Sequence, residues 1–213
     1  MHNSVDALKS WALEHLRWFG LSAFQLRTDG GKVILIDPFR VPARAGTADL
    51  ILVTHPHPDH YDREAIKRLK NADAEVILPR SCAEPGQKAL SAGETLQTAS
   101  ATVTGVAAYN RTRRFHPRSS GWLGYVIDVE GIRLYHAGDT DLVPEMADLR
   151  PDIALLPVGG IFSMNVRTAA DAAVTLKASL CIPMHFGVFF GGKGAGRRFV
   201  QRLGAGGMEL SRG

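Results

Sequence analysis

The apolar positions change period several times along the chain, and each change predicts an element. Ser4 has the character of a helix N-cap. Val5, Leu8, Trp11, Ala12, His15 and Leu16 follow it at helical spacing, so the first segment reads as an amphipathic helix. A strand over 23–27 comes next. Asp29-Gly30-Gly31 is a hairpin turn, and Lys32-Val33-Ile34-Leu35-Ile36 is the returning strand, which ends in Asp37-Pro38. Asp49-Leu50-Ile51-Leu52-Val53 is a short run of branched apolar residues, the pattern of a strand buried on both faces. The spacing predicts a helix over 62–69, with Asp62 as a cap, and a strand over 75–78. The stretches 96–106 and 122–135 are strand-rich with polar turns.

In the second half strands and helices alternate. A strand is predicted over 153–156, a helix over 169–178, a strand over 180–183, a helix over 197–203 and a last short strand over 208–210. A Gly-rich loop fills 187–196. No linker, repeat or low-complexity tract divides the 213 residues, so residues 1–213 are expected to form one domain with a sizeable core. The pattern suggests an α/β protein, two mixed sheets packed together with helices outside.

Composition narrows the picture. The net charge is +4 and the basic residues are scattered. That is not the polybasic signature of a dedicated nucleic-acid binder. Cys82 and Cys181 are far apart and form no Cys-x-x-Cys pair. No disulfide framework is implied, and a reducing cytoplasm is the natural compartment. Met1 to Asp6 show no basic start followed by an apolar run, so no signal peptide is expected. No stretch is long and apolar enough to span a membrane.

The chemistry concentrates in Thr54-His55-Pro56-His57-Pro58-Asp59-His60, just past a buried strand. His55 and His57 can share a face as the chain leaves the sheet. Asp59 and His60 follow the turn and can face a neighbouring metal. Imidazole and carboxylate suit zinc, iron or manganese, and Pro56 and Pro58 stiffen the loop. One loop cannot fill two coordination spheres. Of the eight histidines, five lie elsewhere: His2 near the start of the chain, His15 on the first helix, and His116, His136 and His185. His185 follows the apolar strand before it, and so also stands at a strand's C-terminal end. Asp139, after the turn-permitting Gly138, can bridge two cations as an imidazole normally does not.

These motifs resemble the metallo-β-lactamase superfamily: Thr54 to His60 its His-x-His-x-Asp-His signature, Tyr135 to Asp141 its bridging-aspartate motif, and Pro183-Met184-His185 its final-histidine motif. Asp37-Pro38 and Leu156 to Gly160 are similar to the small stand-alone branch that includes L-ascorbate-6-phosphate lactonase-like enzymes. The resemblance implies a four-layer αββα sandwich, with two divalent ions, zinc or else manganese or iron, at one edge between the sheets. It assigns His55 and His57 to the first metal, Asp59, His60 and His185 to the second, and Asp139 to both. The family supplies a further ligand to the first metal upstream of the aspartate. Strand order favours Asn110 and ligand chemistry favours His116; His116 is the expected choice. Leu21 stands where members often carry a site-lining histidine.

Two such metals would share a water, lower its pKa and direct it at a carbonyl or phosphoryl centre. Asp59 and Asp139 are the expected catalytic carboxylates. Asp37 and His136 are candidates to fix ligand tautomers from behind. Arg111, Arg113, Arg114 and Arg118 surround His116. Arg113 and Arg114, with Asn110, are candidates to hold an anionic substrate. Gly187-x-x-x-x-Gly192-Lys193 mimics the start of a nucleotide loop, but Gly194 stands where Ser or Thr belongs. A lid beside His185 with Phe189 and Phe190 as its apolar wall is the better reading. The expected activity is hydrolysis of a small anionic ester, lactone or phosphodiester. A nuclease and a redox or non-catalytic metal protein are the alternatives, and a homo-oligomer is left open.

Overall fold

The computed structural model describes residues 4–187 and 190–213. His2 and Phe189 therefore lie outside the described residues. Ser4 caps α1 (Val5–His15), its hydroxyl accepting from the Ala7 amide at 3.2 Å. Leu8 and Ala12 are buried one turn apart, as the helical period requires. At Leu16 the helix gives way at once to β1 (Leu16–Gly20), a strand the apolar pattern hides. Leu16 continues the helical spacing, and only pairing of Leu16 to Trp18 with Leu26 to Phe24 makes the segment extended.

β2 (Ala23–Arg27) and β3 (Val33–Ile36) form the expected hairpin. β4 (Ala48–Leu52), α2 (Arg63–Leu69), β5 (Lys70–Pro79) and β6 (Lys88–Leu90) follow. β5 is longer than the apolar run over 75–78, because its polar start joins the ladder through a register shift between Ala48 and Leu50. The later elements are β7 (Thr95–Gln97), β8 (Thr102–Ala107), β9 (Leu123–Val129), β10 (Ile132–His136), β11 (Ile153–Pro157), α3 (Val166–Leu176), β12 (Leu180–Met184) and α4 (Ala195–Leu203). α3 starts earlier than its apolar face suggests, because Asn165 and Thr168 form a capping box. The strand expected over 208–210 does not form. The Met208 amide reaches Cys181 at 3.0 Å, and Gly207 and Arg212 make only isolated bridges. So few ladder bonds do not hold three residues as a strand.

The sheets divide the chain by sequence, in the order β1-β2-β3-β4-β5-β6 and β12-β11-β10-β9-β8-β7. β3 to β6 run parallel, as do β10 to β12. Period-two alternation fixes both faces of the first sheet. Ile34, Ile36, Leu50 and Leu52 enter the core between the sheets. Val33, Leu35, Ile51 and Val53 enter a second core with Ala65, Ile66 and Leu69 of α2. α3 and α4 pack outside β11 and β12, completing the αββα layering. Among the described residues no helix is long and apolar enough to cross a membrane.

At the turn end of the strands, Glu130 ties the two sheets. Its carboxylate accepts from the Asp29 amide at 2.9 Å and the Gly30 amide at 3.1 Å, joining the β9–β10 turn to the β2–β3 turn. Glu130→Ala is expected to cost about 1–2 kcal/mol, the worth of an exposed charge-assisted pair. Urea denaturation measures it, and bound metal should not change.

Candidate metal centre

Parallel strands deliver their C-terminal ends to one edge, and the loop after β4 begins there. Asp37, fully buried after β3, accepts from the Thr54 amide at 2.8 Å and from the Thr54 hydroxyl at 2.6 Å. His60 Nδ1 lies 2.6 Å from the same carboxylate. A carboxylate only accepts, so His60 carries a proton on Nδ1 and turns Nε2 toward the centre. The Thr54 hydroxyl spends its one proton on Asp37. It therefore accepts from His55 Nδ1 at 3.0 Å, which bares His55 Nε2. Behind His116, the Asn110 amide donates to the Phe162 carbonyl at 2.9 Å and turns its oxygen to His116 Nδ1 at 3.1 Å. Asn110 thus stands behind His116, and the imidazole is the group that reaches the centre.

Three groups of donors meet: His55 with His57 and His116, His55 with His60 and Asp139, and Asp59 with His60 and His185. Within each group the donor atoms lie within 4.8 Å of one another. His55 Nε2 is 3.1 Å from His57 Nδ1. Asp139 Oδ2 is 3.3 Å from His185 Nε2, 3.7 Å from His116 Nε2 and 3.8 Å from His60 Nε2. Asp59 Oδ2 is 3.5 Å from His185 Nε2 and 3.8 Å from His60 Nε2. Ligands of a tetrahedral zinc ion stand about 3.4 Å apart, so the spacings suit cations better than direct hydrogen bonds.

The polar bookkeeping agrees. His60 Nε2, His116 Nε2, His185 Nε2 and Asp139 Oδ1 are buried without a hydrogen-bond partner among the described residues. Each such atom costs about 1–3 kcal/mol, and divalent ions at this point would satisfy them together. Burial, with the neighbouring imidazoles, holds His55 well below the usual histidine range. Burial also brings His116 down to about 4, against the pull of Asp139. Both are neutral near pH 7, the state a ligand needs. For His60, burial is outweighed by the Asp37 and Asp139 carboxylates, which raise it to about 9, so a cation bound at Nε2 would displace the proton held there near pH 7. Asp59 is held below the usual carboxylate range, since His185 and His60 overcome its burial.

Backbone geometry places the remaining donors. His185 ends β12 with φ +53°, and its amide donates to the Leu21 carbonyl at 3.0 Å. That carbonyl also accepts from Trp18 Nε1 at 2.8 Å. Leu21 thus positions His185 through its main chain. Gly138, at φ +63°, leaves only 3.0 Å between a would-be Cβ and the Leu123 carbonyl, so the turn before Asp139 admits nothing larger. Among the described residues His136 joins none of the three clustered groups. Its Nε2 donates to the Ser22 carbonyl at 3.0 Å, and its Nδ1 accepts from the Gly138 amide at 3.2 Å. It orders the turn before Asp139 rather than fixing a tautomer. His15 is structural, with Nδ1 2.7 Å from the Arg27 carbonyl.

Arg113 and Arg114 stand on the far side of Asn110 from His116. Arg113 donates to the Ser163 carbonyl at 2.6 Å and lies 3.6 Å from Asp141. With Arg114, Tyr109 and Pro144 it lines a depression that contains none of the clustered donors. Sequence reasoning missed Trp122, whose ring lies 4.9–5.3 Å from those of His55, His57 and His116. It also missed the cleft at Asp59, lined by Trp18, Phe39, Arg40, Phe186, Lys193 and Arg212 among others. No local motif marks residues so scattered along the chain.

A family model described as the β-lactamase superfamily domain matches residues 15–185. The UPF0173 metal-dependent hydrolase of Methanosphaera stadtmanae is 33% identical, over 83% of this chain and 85% of that one. Among solved structures, a candidate metal-dependent hydrolase from Parabacteroides distasonis superposes with a TM-score of 0.81 at 31% identity, covering 92% and 90% of the two chains. Igni18, a metallo hydrolase from Ignicoccus hospitalis, gives 0.74 at 25% identity, covering 93% and 95%. The chain belongs to the metallo-β-lactamase superfamily and is one of its metal-dependent hydrolases.

Proposed function

We propose that the chain is a two-metal hydrolase of a small anionic ester, lactone or phosphodiester, with residues 1–213 acting as one domain. The observation that carries this is Asp139 Oδ2, which lies within 3.3–3.8 Å of His185, His116 and His60 at once. A single carboxylate oxygen in reach of imidazoles from separate donor groups is placed to bridge. His55, His57 and His116 would hold one ion, Asp59, His60 and His185 the other, and Asp139 both.

Bound ions supply Lewis acidity and a nucleophile drawn from water near neutral pH. The protein's own groups do the rest. Asp37 and Asn110 lock the imidazoles of His60 and His116 in the tautomer that binds. Asp59 lines the cleft where it meets the centre, and so can orient water there.

Elemental analysis of the purified protein should find two equivalents of zinc, manganese or iron. A screen of that sample against lactones, phosphodiesters and thioesters should find turnover in one of the first two classes, with chelation abolishing it. One metal equivalent at full activity would overturn the two-metal assignment. Turnover confined to thioesters would overturn the substrate class.

A further inference from the structure

The cleft of about 660 Å³ beside Asp59 has an unusual lining. Five aromatic rings, Trp18, Phe19, Phe39, Phe186 and Phe190, form its body. Trp18 stacks on Phe186 at 5.1 Å, and Phe190 lies 5.0 Å from the His185 ring. Its volume suits a small organic ligand. Three cations, Arg40, Lys193 and Arg212, line it, and Asp59 is the acidic residue among them. Arg212 is held in place: its Nε donates to the Phe19 carbonyl at 2.8 Å, and its guanidinium lies against Gly20, where a Cβ would come within 2.9 Å. Arg40 lies over the Phe39 ring at 5.0 Å. Among the described residues none of these cations pairs with a carboxylate, whereas Arg113 faces Asp141 and Arg118 pairs with Glu145. An aromatic trough ringed by unpaired positive charge is complementary to an amphiphilic anion and a poor host for a polyhydroxylated one.

We propose that this cleft binds an apolar aryl or alkyl arm of the substrate, with Arg40, Lys193 and Arg212 reading its negative charge. The proposal rests on the hydrolase reading and narrows it. The substrate class becomes apolar-armed carboxylate or phosphate esters and lactones, not sugar-derived lactones. The anion is read on the Asp59 and His185 side of the centre, away from Arg113 and Arg114.

Calorimetric binding of three probes tests this: 4-phenylbutyrate, the uncharged 4-phenyl-1-butanol, and the polar anion gluconate. Each is titrated into zinc-loaded and chelator-treated protein. 4-Phenylbutyrate should bind at least about tenfold more tightly than either other probe in both forms. The double variant Arg40→Gln, Lys193→Gln changes exposed side chains of the same general length. It should weaken 4-phenylbutyrate about tenfold and leave the alcohol unchanged. Phe39→Ala should weaken both aromatic probes. Equal or tighter gluconate binding overturns the proposal, as does a double variant with unchanged affinity, since neither Arg40 nor Lys193 would then read the charge. Absence of binding in both forms also overturns it. Failure to take up zinc would instead strike the hydrolase reading, while the ranking of probes on the metal-free protein still judges the cleft.

Discussion

Asp139→Ala is expected to lose at least one of two bound metal ions and to lower hydrolysis about a thousandfold or more. Lewis-acid stabilisation is worth several kcal/mol, and each ~1.4 kcal/mol is tenfold in rate. The substitution also separates function from architecture. The Asp139 side chain is 4% exposed as a residue, and its Oδ1 has no hydrogen-bond partner. The side chain is buried and, among the described residues, accepts no bond from neighbouring backbone. Its removal takes away one of the two carboxylates that favour the His60 imidazolium, so the metal-free protein should lose some stability near neutral pH, but far less than with Asp37. Elemental analysis, a rate assay and thermal unfolding after chelation check the three parts. Two equivalents of metal and full turnover in the variant would end the bridging role.

Asp37→Ala should have a different signature, a large loss of stability together with weakened metal binding. Asp37 is fully buried and takes bonds from the Thr54 amide, the Thr54 hydroxyl and His60 Nδ1. Its loss strands these donors in the interior, a cost of about 3–5 kcal/mol. That is a large share of the ~5–15 kcal/mol that holds a domain folded. At about 2–4 °C per kcal/mol for a chain of this size, Tm should drop by roughly 10 °C. Metal affinity should fall about 10–100-fold, because His60 loses the partner that fixes its ring. Asp37→Asn, which keeps the shape but introduces a donor, should be intermediate. Unfolding scans and competition against a chelator give both numbers. A variant with the parent's Tm and affinity would show that the buried carboxylate supports neither.

What the chain discloses by itself is what is local. His55 to His60 are neighbours, and the strands that carry Asp37, His55, Asp139 and His185 to one edge show in short branched-apolar runs. The choice between Asn110 and His116 is not local. The stretch between β8 and β9 has no apolar period, and both residues serve, the amide steadying the imidazole. β1 was hidden because Leu16 fits the helical face before it. The cleft was hidden for a stronger reason. Trp18, Phe39, Phe186 and Arg212 become neighbours only after both sheets are packed, and an isolated aromatic residue reads as core. Arg111, Arg113, Arg114 and Arg118 drew attention because they cluster within eight residues, yet Asp141 and Glu145 face two of them. The unpaired cations stand alone in the sequence.

The two sheets are built from successive halves of the chain, and hydrogen bonds join them at both ends: Glu130 at one, and at the other the His185 amide on the Leu21 carbonyl and the His136 ring on the Ser22 carbonyl. At the other end, imidazoles and carboxylates from both halves stand face to face with their inner atoms unmet. On the proposed assignment, the ions that drive the chemistry would add a further clasp beside those bonds. Scarcity of such metals would silence the enzyme and leave buried polar atoms unmet at that edge, lowering its stability without parting the sheets.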